Sequence, residues 1–434
     1  STTSRREDQA ELRAQTPQGE TDFPPRPQQQ RYKGRRPSYK GDSRDHACYV
    51  CSMFRTKAFS LGLAVAAAAF PVQARVPGAK IGAAAHAAMA RTGAHGLAIA
   101  VVEDGKLVFV RAWGDRNAAG DPLTTDTIMY GASLTKAVFA YTVMQLAEEG
   151  RIDLDRPIAS YLPRPLPEYG NLDAYGNWGD LAGDERWRKL TARHLLTHSS
   201  GFRNFSSDEP DGRLRFNFDP GTRYAYSGEG IILLQFVIEK GLGLDLGAEM
   251  RRRVFDRFGM RNTSMTWRPD FARNLADGWK ADGGVEPHDE RSRVRAAGSM
   301  DTTVADFARF AAAFMRGEGL KRSSRTEMLR PQRPITSIAQ FPSLVPEAPP
   351  ERRWKGLSAG LGIVTFEGPQ GRGFFKGGHN DSTANMWACL ERGRRCVVIL
   401  ANDVRAEAAF PALVDSILGD SGLPWHWEYS RLRD

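Results

Sequence analysis

The sequence predicts an α/β protein in which one antiparallel sheet, made from both ends of the folded region, carries an inserted and mostly helical lobe. Two strand-like runs, 97–102 and 106–112, are joined by Glu103-Asp-Gly105, which is a strong hairpin signal. A second group of strand-like runs covers residues 363–400. Because the segments between the two groups are mostly helical or loop-rich, strands from both ends are expected to share one sheet.

The predicted helices follow the hydrophobic periodicity of the chain. A first helix is predicted over 80–91, before the hairpin. Later helices are predicted over 137–147, within 190–202, and over 231–240, 251–258, 303–316 and 406–418. Residues 163–189 are rich in Pro, Gly, Tyr and Trp and are expected to form a long loop.

The helix at 137–147 is apolar or small on every side, which is typical of a helix in the middle of a protein. Gly150 then accepts the left-handed turn that ends it. Ser133 and Lys136 lie three apart, on one face of its first turn and at its positive end. With twelve lysines in the chain, roughly one Ser-x-x-Lys is expected by chance. Its position at the mouth of a core helix is what indicates an activated nucleophile, because a lysine there is costly to bury.

Length and charge restrict the possible functions. The chain has 434 residues and is 41% hydrophobic, which is ample for a sizeable core. Its formal net charge is +9, yet residues 1–52 carry ten Lys and Arg against seven Asp and Glu. Residues 53–74 add Arg55 and Lys57 without an acid, so the rest of the chain has an ordinary charge for its size. We therefore expect no nucleic-acid partner.

Residues 53–74 are interpreted as a secretory signal peptide. A short basic start from Met53 to Lys57 precedes the apolar run 58–70, and Val72-Gln-Ala74 supplies small residues at the positions that signal peptidase reads. The apolar run is too short to span a bilayer as a helix. We therefore expect a periplasmic or secreted protein whose folded domain is 75–434, with no membrane span after signal removal.

Residues 1–52 are rich in Arg, Gln, Pro and Ser and can bury little apolar surface, so they are expected to be disordered. Our hypothesis is that Met53 is the true start and that 1–52 is a spurious extension. Cys48 and Cys51 have no second pair nearby, so neither a zinc site nor a redox motif is favoured.

Cys389 and Cys396 flank a predicted turn between two strand-like runs and would face each other in a hairpin. In an exported protein such a pair could be oxidised. If Arg392-Gly393 formed a two-residue turn, however, the cysteines would occupy a hydrogen-bonded pair, which is less suited to a bridge. The sequence leaves open whether the two cysteines form a disulfide or remain free thiols.

His194 and His198 are spaced as two zinc ligands on a helix would be, but Leu195 stands where a catalytic zinc site needs Glu. A structural histidine that bonds the loop starting at Ser199 is the favoured interpretation. We expect neither a metal nor a cofactor.

Three stretches together resemble one known family. They are Ser133-Leu-Thr-Lys136, Pro220-Gly-Thr-Arg-Tyr-Ala-Tyr-Ser-Gly228 and Lys376-Gly-Gly-His-Asn-Asp381. Their order and spacing resemble the serine β-lactamase/penicillin-binding-protein superfamily, in the branch of class C β-lactamases, D-alanyl-D-alanine carboxypeptidases and family VIII esterases. Three further stretches agree with this family pattern, namely Leu195–Gly201, Ala296–Met300 and Gly360–Gly362. The resemblance covers roughly residues 80–420 and implies a β-lactamase/transpeptidase-like fold.

The resemblance implies an acyl-enzyme mechanism. Ser133 would be the nucleophile, with Lys136 and Tyr226 as proton shuttles, and either of the two could be the general base. The lysines 136 and 376 are expected to make the Tyr226 phenol more acidic. Tyr224 is a weaker rival for this role, because the distance from Pro220 favours Tyr226.

Further site residues follow from the same resemblance. The backbone N–H groups of Ser133 and His379 would form the oxyanion hole. Lys376, Gly377, Gly378 and Gly228 would contact the substrate, which would be a small molecule or a peptide.

Two departures from the family pattern affect the expected substrate. Gly228 replaces the usual Asn of Tyr-x-Asn, and Gly377 replaces the Thr of Lys-Thr-Gly. The hydroxyl of Ser382 or Thr383 could take the place of the missing threonine hydroxyl. We therefore expect a hydrolase of esters or D-amino-acid peptides, with a class C-like β-lactamase as the alternative. An inactive binding protein is disfavoured because Ser133, Lys136 and Tyr226 are intact. Substrate choice is expected to depend on loops 163–190 and 330–355.

Overall fold

The structure is a computed structural model, and it describes residues 76–429 of the chain. These residues belong to the compact unit Val72–Asp434. The predicted extension at 1–52, its Cys48 and Cys51, and the predicted signal peptide at 53–74 lie outside the described residues.

An antiparallel sheet of eight strands organises the described part of the chain, in the order β2-β1-β12-β11-β10-β9-β8-β7. The strands are β1 Gly96–Glu103, β2 Lys106–Gly114, β3 Met129–Tyr130, β4 Gly278–Trp279, β5 Val285–Glu286, β6 Asp301–Thr302, β7 Arg333–Pro334, β8 Ser358–Ala359, β9 Val364–Gly368, β10 Gly371–His379, β11 Ala384–Leu390 and β12 Arg395–Ala401. The first hairpin joins the late strands through β1 and β12, where Ile99 pairs with Ile399. The predicted single sheet made from both ends is therefore confirmed.

The helices cover the sheet and build the lobe. They are α1 Gly78–Thr92, α2 Leu134–Glu148, α3 Ala192–Leu196, α4 Gly228–Phe236, α5 Leu246–Met250, α6 Val304–Arg316, α7 Arg322–Leu329, α8 Phe410–Leu418 and α9 Trp425–Glu428. Within residues 76–429, none of them is both long and apolar enough to span a bilayer.

Some helix boundaries differ from the sequence prediction. The helix predicted over 251–258 is the π-helical segment Arg251–Phe255, which continues α5. Helix α5 begins at Leu246, because the side chain of Asp245 accepts the N–H of Ala248 and caps the helix there. The helices α7 and α9 were not predicted. The first is mostly polar and the second has only four residues, so neither shows a clear apolar period.

Both faces of the sheet are buried. In β12, Val398 and Leu400 point into the core that the sheet shares with α2, α4 and α6. Val397 and Ile399 point to the opposite face, into the core formed with α1 and α8. The sheet is thus the middle of three layers, and the lobe covers one side only.

Helix α2 lies inside the lobe, and every residue from Leu134 to Leu146 is buried. This confirms the prediction of a core helix without a solvent face. Helix α2 packs on β10 and β11. The first turn of α2 therefore meets the end of β10, where the site residues are found.

Cys389 and Cys396 are register partners in the β11–β12 hairpin and form a disulfide. Leu390 pairs with Arg395, so the connection has four residues rather than two. The Cα atoms of the two cysteines are 4.1 Å apart, as is typical of a non-hydrogen-bonded pair. The longer connection removes the geometric objection to a bridge.

Candidate active site

The hydroxyl of Ser133 lies between an amine and a phenol. Ala132 has a left-handed backbone with φ 46°, unusual for a residue with a side chain, and turns the chain sharply into α2. Ser133 follows with φ −71° at the mouth of the helix. Its Oγ is 2.9 Å from Lys136 Nζ and accepts a 2.8 Å hydrogen bond from Tyr226 OH. The structure thus brings together the three residues predicted to be catalytic.

Lys136 is 2% exposed. Its Nζ also lies 2.6 Å from the carbonyl oxygen of Ala297, which belongs to the stretch Ala296–Met300. Burial holds the pKa of Lys136 well below its usual value, and the positive charge of Lys376 lowers the pKa further. Both effects favour the uncharged amine, whose lone pair can accept a proton.

Tyr226 OH faces Ser133, whereas Tyr224 OH donates to Gln340 Oε1 at 3.0 Å. The ring of Tyr226 lies 4.9 Å from Lys136 Nζ and 5.2 Å from Lys376 Nζ. The expectation that these lysines make the phenol more acidic is wrong. Burial raises the pKa of Tyr226 well above its usual value and outweighs the hydrogen bond to Ser133 that lowers it. The phenol therefore keeps its proton.

His198 supports Tyr226. The two rings stack with centroids 4.4 Å apart, and Nδ1 of His198 accepts the N–H of Ser227 at 3.1 Å. Burial holds the pKa of His198 well below its usual value, so the ring is neutral. His194 packs against Gly221 instead. A structural role therefore fits His198, although its ring bonds Ser227 rather than the loop at Ser199.

The end of β10 lies against the first turn of α2. A Cβ at Gly378 would lie 3.0 Å from Ser133 N and 2.9 Å from Leu134 N, so only glycine allows this approach without displacement. The N–H of Asn380 donates to Thr383 O at 3.1 Å. Because antiparallel strands alternate, the N–H of the preceding His379 points away from β11. Ser133 and His379, the predicted oxyanion-hole residues, border the same cavity.

Lys376 is buried on β10, and its Nζ donates to Gly377 O at 2.7 Å. Burial lowers the pKa of Lys376 to about 8, while nearby Glu428 acts in the opposite direction. Ser382 and Thr383 line a separate small cavity rather than the ones that contain Ser133. They are therefore not in position to replace the threonine hydroxyl of the family pattern.

Gly228 is buried behind two residues of a preceding loop. Its N–H donates to Asn204 Oδ1 at 3.0 Å, and a Cβ here would lie 2.7 Å from the Phe205 ring. Asn204 and Phe205 line the cavity, and Gly228 is not among the described residues that do. The prediction that Gly228 contacts substrate needs correction, because Asn204 occupies that part of the wall. Nothing in the local sequence marks Asn204, which lies 24 residues earlier in the chain.

The cavity at Ser133 has a volume of about 760 Å³, which suits a small-molecule substrate. From the loop predicted over 330–355, Phe341 lines it, whereas loop 163–190 contributes no lining residue to it. Another wall is the segment 289–299, which carries both acids and arginines. Only its last residues, 296–299, belong to a stretch that the sequence analysis named. Among residues 76–429, no group of three or more His, Cys, Asp or Glu side chains is arranged to hold a metal ion.

A second unpredicted contribution comes from the end of the chain. Glu428 on α9 lines a small cavity together with Ser133, Tyr226, Lys376 and Gly377. The family resemblance ended near residue 420, and a four-residue helix has no readable period. Sequence patterns alone therefore offered no means of finding Glu428.

Residues 81–418 match the family model described as Beta-lactamase. The chain belongs to the β-lactamase family. This confirms the predicted membership of the serine β-lactamase/penicillin-binding-protein superfamily, a family of serine hydrolases. The octameric penicillin-binding protein homologue from Pyrococcus abyssi superposes with a TM-score of 0.63 at 18% identity, covering 82% of this chain and 80% of that one. This likeness confirms the predicted fold class.

Two curated relatives have names that describe hydrolases. Esterase EstB from Burkholderia gladioli is 30% identical over 38% of this chain and 46% of its own. The D-alanyl-D-alanine-carboxypeptidase/endopeptidase AmpH from Escherichia coli K12 is 23% identical over 65% of this chain and 72% of its own. The chain thus spans about half the length of the esterase that it matches.

Proposed function

We propose that this member of the β-lactamase family is a serine hydrolase that forms an acyl-enzyme through Ser133, on carboxylic esters or D-amino-acid peptides. The observation that carries the proposal is the hydroxyl of Ser133, held 2.9 Å from Lys136 Nζ and 2.8 Å from Tyr226 OH at the edge of a large cavity. A serine hydroxyl needs such a neighbour to take its proton. The esterase and carboxypeptidase names of the two relatives support the substrate classes.

Acylation starts when the Lys136 lone pair takes the proton of Ser133 and Oγ attacks the substrate carbonyl. The N–H groups of Ser133 and His379 then hold the oxyanion. As the intermediate collapses, Tyr226 gives its proton to the leaving alcohol or amine and regains one from Lys136. In deacylation, water takes the place of the leaving group and loses a proton to Lys136 and Tyr226. The pair returns a proton to Ser133 Oγ as the bond to the acyl group breaks, which releases the acid and free Ser133.

Lys136 is the better candidate for the general base. The pKa of Lys136 is lowered and that of Tyr226 is raised, which favours the amine as the proton acceptor and the phenol as the group that holds a proton. This division of roles narrows the choice that the sequence left open.

The second candidate function is β-lactam hydrolysis, and Asn204 favours it. Its Oδ1 is held by Gly228 N–H, so its NH₂ group remains to donate to a ligand from the cavity wall. An acylamino group needs such a donor. The buried carboxyl group of Glu428 argues against β-lactams as substrates.

We also propose that the protein is exported, to the periplasm or the medium. The predicted signal peptide at 53–74 is the basis of this proposal, and the disulfide of Cys389 and Cys396 supports an oxidising compartment.

A substrate panel tests the proposed function. We expect kcat/KM for p-nitrophenyl butyrate to exceed that for a D-alanyl-D-alanine peptide and for a chromogenic cephalosporin. Ser133→Ala should abolish all three activities, as losses of grouped catalytic residues do. Ester turnover that survives in Ser133→Ala would contradict the mechanism, and a strong preference for the cephalosporin would assign the β-lactamase function instead.

A further inference from the structure

Glu428 carries a carboxyl group to the underside of the site and is 4% exposed. Its neighbours fix the short helix α9 firmly. The N–H of Gln340 donates to Trp427 O at 2.9 Å, and Tyr429 OH donates to Asn385 O on β11 at 3.0 Å. Glu428 is thus held in place by a backbone hydrogen bond of Trp427 and a side-chain hydrogen bond of Tyr429.

The carboxyl of Glu428 occupies the space of a missing side chain. A Cβ at Gly377 would overlap Glu428 Oε1 and lie 3.1 Å from Tyr429 OH. No residue larger than glycine fits between Lys376 and Gly378 while Glu428 is in place. The departure from Lys-Thr-Gly at Gly377 therefore has a physical reason, since a carboxyl group of the chain itself stands where the side chain of a threonine would begin.

The same carboxyl balances the charge of Lys376. Burial raises the pKa of Glu428, and the positive charge of Lys376 is the strongest influence that lowers it. Glu428 and Lys376 line the same small cavity, so the carboxyl group places a compensating negative charge near the amine whenever both groups are ionised. Oε2 of Glu428 accepts a 2.7 Å hydrogen bond from Gln340 Nε2, and Oε1 lies against Gly377.

The other charged groups nearby leave this balance intact. His379 pairs with Glu407 through Nδ1 and Oε1 at 3.0 Å. Burial and the charge of Lys376 lower the pKa of Lys136. On the β10 side of the site, Lys376 and His379 thus each have a carboxyl group of the chain near them.

We propose that Glu428 is a specificity-determining residue, an internal carboxylate that fills the anion position beside Lys376 and restricts the site to esters without a carboxylate near the scissile bond. The inference rests on the proposed function and names its substrate class. A substrate carboxylate here would meet the Glu428 carboxylate at close range, and like charges facing each other in a buried site cost several kcal/mol.

A purely structural Glu428 would instead serve only to hold Gln340, and through it Tyr224. Its replacement would then lower turnover of all esters alike. The two roles are separated by a ratio of two substrates, which a general loss of structure does not change.

The probes are the N-benzoylglycyl esters of D-lactate and of D-lactamide, which differ only in carboxylate against carboxamide. We expect the wild-type protein to prefer the lactamide ester. Glu428→Gln keeps the shape and removes the charge, so the ratio of kcat/KM for lactate over lactamide ester should rise about tenfold or more. The matched control is Glu229→Gln, an equally buried glutamate at 4% exposure, which should keep the wild-type ratio.

Three results would overturn the inference. They are a wild-type preference for the lactate ester, an unchanged or lowered ratio in Glu428→Gln, and an equal rise in Glu229→Gln. If Glu428→Gln does not fold, the ratio of kcat/KM measured for the wild-type protein still tests the inference. Calorimetric binding of both esters to Ser133→Ala gives the corresponding ratio of affinities without chemistry, so that the inference about Glu428 is tested even where turnover by Ser133 fails.

Discussion

Lys136 is the residue on which the chemistry of the site depends most. A lysine in water is protonated at neutral pH and cannot accept the proton of a serine. Here burial favours the uncharged form, and Lys376 favours it further. Lys376 shares a small cavity with Ser133 and with the carboxyl group of Glu428.

This arrangement predicts the pH dependence of ester hydrolysis. Because the pKa of Lys136 is lowered, kcat/KM for a neutral ester should rise on an acidic limb far below 10.5, the usual value for lysine, and stay high through neutral pH. In Lys376→Met the repelling charge is gone, the pKa of Lys136 rises, and the acidic limb should move to higher pH. The measurement is kcat/KM against pH for p-nitrophenyl butyrate.

The exposed Lys280 provides the control, since Lys280→Met should leave the limb in place. If the acidic limb of the kcat/KM profile does not shift in Lys376→Met, or shifts to lower pH, the assignment of Lys136 as the base is contradicted.

Among the secondary-structure elements, the site depends on the contact between the start of α2 and the end of β10. An all-buried helix fixes Ser133 and Lys136, while the pairing of β10 with β11 fixes Lys376 and His379. Gly378 is the point of contact, because its missing side chain lets the strand reach the helix N–H groups. The oxyanion hole needs both elements at this separation.

Gly378→Ala should therefore lower kcat more than it raises KM, by roughly 10²-fold or more. The added methyl group would lie 3.0 Å from Ser133 N and force the strand away from the helix. Gly82→Ala in α1, where a Cβ would be 4.0 Å from the Trp113 ring, is the matched control and should keep wild-type kcat. Full activity of Gly378→Ala at an unchanged melting temperature would refute this role for the strand–helix contact.

For the whole molecule, the sequence predicts what is encoded locally or in the order of motifs. The hairpin at 103–105, the all-round apolar α2 and the strand pairs of 363–400 each follow from a short-range pattern. The two groups of strands lie at opposite ends of the folded region, and this was enough to predict one shared sheet. The meeting of Ser133, Lys136 and Tyr226 was predictable only because their spacing resembles that of a known family.

What the sequence does not predict depends on tertiary contacts. Asn204 reaches the cavity because its amide caps α4 at Gly228. Glu428 enters the site because Trp427 and Tyr429 dock a short helix on the sheet. The raised pKa of Tyr226 likewise follows from burial, which no spacing of residues reveals. Asn204 and Glu428 modify the substrate expected of the site, and the raised pKa of Tyr226 modifies the expected proton transfer.

The central claim is that Ser133 becomes covalently acylated, and mass spectrometry after labelling tests it most directly. The full-length protein is treated with a fluorophosphonate, digested and searched for the modified peptide. We predict one adduct, on Ser133, which is lost in Ser133→Ala and formed much more slowly in Lys136→Met, since the base that activates the hydroxyl is then missing. An adduct on another serine, equal labelling of Ser133→Ala, or no labelling of the wild-type protein would contradict the account.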